Sequence, residues 1–209
     1  MKIGVLGLQG SFAEHIAAIE KCGAQAVDIR HSWQLADVDG LIIPGGESTA
    51  IAKLTGDNAD PIFDTIKKRV EAGLPVYGTC MGSIFLAKEI EGSEQGRLAC
   101  MDIKVRRNAF GPQRNSFETS IKIDALGAEP FPSVFIRAPI VVSVGADVKV
   151  LANVAEGIVM ARQKNLLVTA FHPEITSDLR VHQYFLDMVS ASKQSKTGCA
   201  VANPDCVTA

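Results

Sequence analysis

Within residues 2–88, short apolar runs alternate with amphipathic segments, and few architectures accommodate that rhythm. Residues 2–8 form an apolar run closed by Gln9 and Gly10, and residues 12–22 then set Phe12, Ile16 and Ile19 on one helical stripe. Gln25–Ile29 reads as a short strand and Gly40–Ile43 as a buried one that ends at Pro44-Gly45-Gly46, where Ser48 is placed to cap a helix. Pro61 opens a helix reaching Ala72, stopped by Gly73 and Pro75. Val76-Tyr77-Gly78 is the next strand, and residues 81–88 the next helix. Strands apolar on both faces and separated by helices are expected to form a parallel sheet covered on both sides.

After Gly92 the pattern changes. Residues 103–105, 117–123, 134–136, 141–144 and 148–154 are strand-like runs with no long helix between them, and residues 157–162 and 166–171 resemble a closing hairpin. The expectation is a single α/β domain, a mostly parallel sheet flanked by helices with an antiparallel section appended. Residues 178–191, carrying Leu179, His182, Tyr184, Phe185, Met188 and Val189, supply a last helix. The domain therefore spans residues 1–191, and residues 192–209, small, polar and aperiodic, are expected to form a flexible tail.

Composition narrows the partners. With 21 basic and 23 acidic residues spread along 209 positions, the net charge of −2 leaves no electrostatic footprint for nucleic acid or an anionic membrane. No leader-like segment and no apolar run of membrane-spanning length is present, so a cytoplasmic protein is expected. Five cysteines, at 22, 80, 100, 199 and 206, show neither a secreted disulfide spacing nor a Cys-x-x-Cys pair, and no cluster has metal-ligand spacing, so neither a metal nor a cofactor is expected. Cys22 and Cys100 read as packed thiols, His15 and His182 as helix-face or partly buried residues, and His31 beside Trp33 as surface.

One cysteine stands apart. Gly78-Thr79-Cys80-Met81-Gly82 follows an apolar strand and precedes a helix, the setting in which a glycine-flanked nucleophile sits on a sharp elbow. Helix N–H groups beneath it favour a thiolate. Alone, the pattern is equally consistent with a buried structural cysteine. A thiol nucleophile needs a base, and Phe171-His172-Pro173-Glu174 follows the strand at residues 166–170, where His172 would reach the same sheet edge. Glu174, two residues on in an extended segment, would hold the imidazole in its working tautomer. Acyl transfer also needs oxyanion donors, and the backbone amides of Met81 and Gly46 are the candidates.

These segments, together with Gly7-Leu8-Gln9-Gly10, Pro44-Gly45-Gly46-Glu47-Ser48-Thr49, Arg107-Asn108-Ala109-Phe110-Gly111 and Phe135-Ile136-Arg137-Ala138-Pro139, closely resemble the glutaminase subunits of pyridoxal 5'-phosphate synthases, which are class I (triad) glutamine amidotransferases of flavodoxin-like fold. The resemblance runs from Lys2 to about Val189. It implies a Cys80-His172-Glu174 triad, and L-glutamine held by Gly46, Glu47, Ser48, Arg107, Ile136 and Arg137. It further implies that ammonia passes to a (β/α)8 synthase subunit in a hetero-oligomer, that docking of this partner orders the oxyanion hole, and that Gln9 lies on the docking surface. A free amino acid carries a carboxylate and an ammonium, so a site offering arginine and glutamate suits both ends.

Three features depart from the family pattern: Met81 where alanine is usual, the loop Gly56-Asp57-Asn58-Ala59-Asp60, and the tail with Cys199 and Cys206. Two alternatives stay open on the residues alone: a class I amidotransferase serving another biosynthetic acceptor, and a noncatalytic regulatory module on the same fold.

Overall fold

The computed structural model describes residues 1–46, 60–111 and 116–201. The first half follows the alternation: β1 (Lys2–Leu6), α1 (Phe12–Lys21), β2 (Gln25–Ile29), a 3-10 turn (Ser32–Asp37), β3 (Gly40–Ile43), α2 (Ile62–Glu71), β4 (Val76–Thr79) and α3 (Met81–Leu86). β5 (Ala87–Ile90), β6 (Met101–Arg106), β7 (Ser116–Ile121), β8 (Phe131–Ile136), β9 (Ile140–Val144), β10 (Lys149–Val154), β11 (Gly157–Gln163) and β12 (Leu166–Thr169) follow, and α4 (Arg180–Val201) closes the described chain.

The main sheet has the order β2-β1-β3-β4-β12-β11-β9-β6-β5, with β10 beside β11. From β2 to β12 neighbours are parallel; from β12 through β11 and β9 to β6 they are antiparallel. The last strand in the chain thus lies in the middle of the sheet, next to β4. β7 and β8 form a separate antiparallel pair.

Alternation along the central strands sorts their side chains between two cores, because successive residues of a strand point to opposite faces. Leu41, Ile43, Val76, Leu166 and Val168 pack with Ile66 of α2 and Phe85 of α3 on one side. Ile42, Tyr77 and Leu167 pack with Ile19 of α1 and Phe185 and Val189 of α4 on the other. Strands buried on both faces read as unbroken apolar runs, which is why they were legible.

Two expectations are corrected. The helix expected to reach Lys88 stops at Leu86, since Ala87 turns extended and pairs with Met101 in β5–β6. The final helix does not end at Ala191 but runs to Val201. Ser192 and Lys193 are anchored, through the Gly73 carbonyl and Asp39 respectively. The helix expected from Ser48 and the loop residues 56–59 lie outside the described residues.

Candidate active site

The elbow forms at the C-terminal end of β4. Cys80 has φ 47° and ψ −105°, a conformation that only a strongly constrained L residue keeps. The constraints are visible: the Cys80 N–H donates to the Thr169 carbonyl of β12 (2.7 Å), and the Cys80 carbonyl accepts from Ser83 N–H (3.1 Å) and Oγ (2.6 Å). Both flanking glycines are required by space. A Cβ on Gly78 would stand 2.6 Å from the Gly82 backbone, and one on Gly82 would stand 2.1 Å from the Ile43 carbonyl oxygen.

β4 and β12 are adjacent and in register, Thr79 opposite Thr169, so the residues leaving both strands emerge together. His172 is held by its N–H, which donates to the Val134 carbonyl of β8 (2.8 Å). Phe171 beside it packs on Phe135, which stacks on Phe117, so the β7–β8 pair fixes this exit. A Cβ placed on Gly45, at the end of β3, would come 2.4 Å from His172 Cε1 and 3.2 Å from Cys80 Cβ. The two side chains therefore meet across a turn that admits only glycine.

His172 Nδ1 donates to Glu174 Oε1 at 2.7 Å, and the Ser11 hydroxyl donates to the same oxygen at 2.5 Å. Burial opposes charge on the imidazole, yet its hydrogen bonds to Cys80 and Glu174 outweigh that and raise its pKa to about 10. Burial likewise opposes the Glu174 carboxylate, but His15, His172 and Ser11 bring it down to about 2. The pair is thus an imidazolium facing a carboxylate.

A cavity of about 310 Å³ opens over the cysteine, lined by Gly46, Cys80, Met81, Ile84, Arg107, Asn108, Ile136, Arg137, Pro139 and His172. It gathers every described residue the sequence nominated except Glu174, which is buried behind His172. Glu47 and Ser48 lie outside the described residues. Of the five non-glycine residues with positive φ among those described, Cys80, Asn108 and Arg137 line this cavity. Backbone strain is concentrated there, as at sites where a geometry is imposed for use.

The structure adds residues that sequence reasoning left without a role. Ser11 holds the acid, and Thr79 Oγ1 accepts the Gly45 N–H at 2.9 Å, tying the β3 turn to the elbow. His15 and His182, read as helix-face or partly buried residues, are fully buried and in contact with each other behind Glu174. Thr79, adjoining the nucleophile, was the one with a signal in the motif; for the others no local pattern pointed inward.

Fold and geometry together define an α/β protein with an elbow cysteine, a histidine–carboxylate pair and a polar pocket above them. The model of the SNO glutamine amidotransferase family matches residues 5–191, and the chain belongs to that family. It is 53% identical over 189 residues to the pyridoxal 5'-phosphate synthase subunit PdxT of Carboxydothermus hydrogenoformans, covering 90% of this chain and 98% of that protein. To PdxT of Pelotomaculum thermopropionicum it is 52% identical over 198 residues, covering 95% and 100%. A crystal structure described as glutamine amidotransferase superposes with a TM-score of 0.84 at 45% identity, over 90% of this chain and 98% of that one. PurLQS from Thermotoga maritima shares the fold, with a TM-score of 0.61 at 17% identity over 89% and 97% of the two chains.

Proposed function

We propose that this chain is the glutaminase subunit of a pyridoxal 5'-phosphate synthase, with Cys80, His172 and Glu174 as its catalytic residues. It hydrolyses L-glutamine to L-glutamate and ammonia. The observation that carries the assignment is the meeting of the strained Cys80 elbow with the His172–Glu174 pair beneath one cavity, in a chain about half identical to PdxT proteins over most of its length.

The Cys80 thiolate attacks the side-chain amide carbon of glutamine, and the negative charge moves to the amide oxygen. There the N–H groups of Gly46 and Met81 are the proposed donors that receive it. His172 gives its proton to the departing nitrogen, which leaves as ammonia and a thioester on Cys80. Water, deprotonated by His172, attacks the thioester and releases glutamate, returning the Cys80 thiolate beside the His172 imidazolium. Glu174 keeps Nδ1 occupied so that Nε2 serves the reaction. Arg107, Ile136 and Arg137 hold the substrate together with Gly46, Glu47 and Ser48; Arg107 and Arg137 are the arginines lining the cavity among the described residues.

Ammonia in bulk water at neutral pH is mostly ammonium and is not nucleophilic, which favours direct transfer to an acceptor site; the resemblance makes that acceptor a (β/α)8 synthase subunit in a hetero-oligomer. The resemblance places the reaction in the cytoplasm. Glutamate release from glutamine is measured for the purified chain with and without a pyridoxal 5'-phosphate synthase partner subunit, alongside Cys80→Ala. Release that rises with the partner and vanishes in the variant supports the assignment. Release indifferent to the partner assigns the chain to another acceptor, and none under either condition assigns it to a noncatalytic role.

A further inference from the structure

Glu174 has two oxygens, and the triad uses one. Oε1 takes the His172 and Ser11 donors, whereas Oε2 is buried and has no hydrogen-bond donor in good geometry among the described residues. Facing it at 3.4 Å is Nε2 of His15, a fully buried side chain of α1. The same Nε2 lies 3.1 Å from Thr79 Oγ1, and His15 Nδ1 lies 3.0 Å from Nε2 of His182 in α4.

We propose that His15 is a positioning residue for the glutaminase reaction: its Nε2–H restrains the second oxygen of Glu174 and the hydroxyl of Thr79, and His182 selects the tautomer that allows it. The inference rests on the triad proposed above. Two ring nitrogens 3.0 Å apart share one proton. A bare lone pair on His15 Nε2 would repel a carboxylate 3.4 Å away, whereas an N–H is attracted to it. Nδ1 of His15 is therefore the acceptor and Nε2 of His182 the donor. The groups facing His15 are Glu174, His172, Thr79, Tyr77 and His182, with Glu14 on its own helix. Burial lowers the pKa of His15, and burial together with His15 takes His182 to about 3.

The consequence is mechanical. With Oε1 held by two donors and Oε2 attracted by the His15 Nε2–H, the Glu174 carboxylate resists rotation, and Oε1 stays aimed at His172 Nδ1. Thr79 precedes Cys80 and also accepts the Gly45 N–H, so one imidazole braces the acid, the elbow and the turn that carries Gly46.

The test compares wild type with His15→Leu, His15→Gln and His182→Leu, each combined with the synthase partner for kinetics and alone for alkylation of Cys80 by iodoacetamide, followed by peptide mass spectrometry across pH. A glutamine amide reaches the position of Nε2 and donates from it. His15→Leu is expected to lower kcat about tenfold to a hundredfold, the range of losses when supporting partners of a site are removed, with KM for glutamine within about twofold. Its alkylation profile moves to higher pH, since a less firmly held carboxylate supports the His172 imidazolium less. His15→Gln recovers most of both. Wild-type kcat and an unshifted profile in folded His15→Leu, or His15→Gln no better than His15→Leu, overturns the proposal. If His15→Leu does not fold, His182→Leu decides: full activity and an unshifted profile overturn it, a loss of about tenfold supports it. A wild-type Cys80 that alkylates no faster than in His172→Ala overturns the triad itself, an outcome separate from the others.

Discussion

Gly82→Ala sets two magnitudes against each other. Gly82 lies in α3, where helix propensity alone favours alanine by about 1 kcal/mol. The new Cβ, however, would stand 2.1 Å from the Ile43 carbonyl oxygen and 3.0 Å from its carbon. A carbon and an oxygen in contact keep about 3.3 Å, so the first turn of α3 and the end of β3 must part by roughly 1 Å. Neither side is the loose end of a side chain, because the clash is with the backbone of a strand in the middle of the sheet. Overpacking of this kind costs about 1–3 kcal/mol, toward the upper end where backbone must move. The net expectation is a loss on the order of 2 kcal/mol, opposite in sign to propensity. Activity should fall further, since the displaced turn carries Cys80 and the Met81 amide, and a misplacement of about 1 Å can cost roughly a hundredfold. Urea unfolding followed by circular dichroism gives the first number, and partner-stimulated glutamate release the second. A variant more stable than wild type with unchanged kcat refutes the reasoning.

Glu174→Gln carries a pH signature. The carboxylate is lowered from 4.5 to about 2, so its stabilisation is complete above about pH 4.5 and lost as the pH falls through 2. At 1.36 kcal/mol per unit this is on the order of 3 kcal/mol, and the wild-type advantage in urea midpoints should shrink steadily between those limits; an advantage constant over that window would contradict it. Tyr77→Phe removes a fully buried hydroxyl 2.9 Å from Thr169 Oγ1, with an expected loss of about 1 kcal/mol in the same assay and little change in kcat. Arg107→Ala should raise KM for glutamine about tenfold while altering kcat less; unchanged KM would remove Arg107 from the substrate pocket.

Much of the fold was legible because its information is local. Apolar runs stopped by glycine or proline marked β1, β3 and β4, and the glycines around Cys80 announced a turn that the packing of Gly78 on Gly82 and of Gly82 on Ile43 requires. His172 and Glu174 were legible because two-residue spacing and a preceding strand suffice to aim them. Where neighbours distant in sequence decide, local pattern failed. Ala87 to Ile90 continue a helical periodicity, yet β6 offers a partner strand and pairing wins. Beyond Ala191 the helix persists without an apolar stripe, since backbone hydrogen bonding continues a helix that packing has already nucleated, and nothing in amphipathic periodicity records that. His15 and His182 stand 167 positions apart, each an unremarkable polar residue on its own helix. Only the packing of α1 and α4 on the same face of the sheet brings them together behind Glu174, because burial of a polar side chain is decided by which hydrogen-bond partners the fold delivers to it. The sequence by itself determined the chemistry available at the elbow; the tertiary structure decided what braces it, since a brace is a relation between segments that no single segment contains.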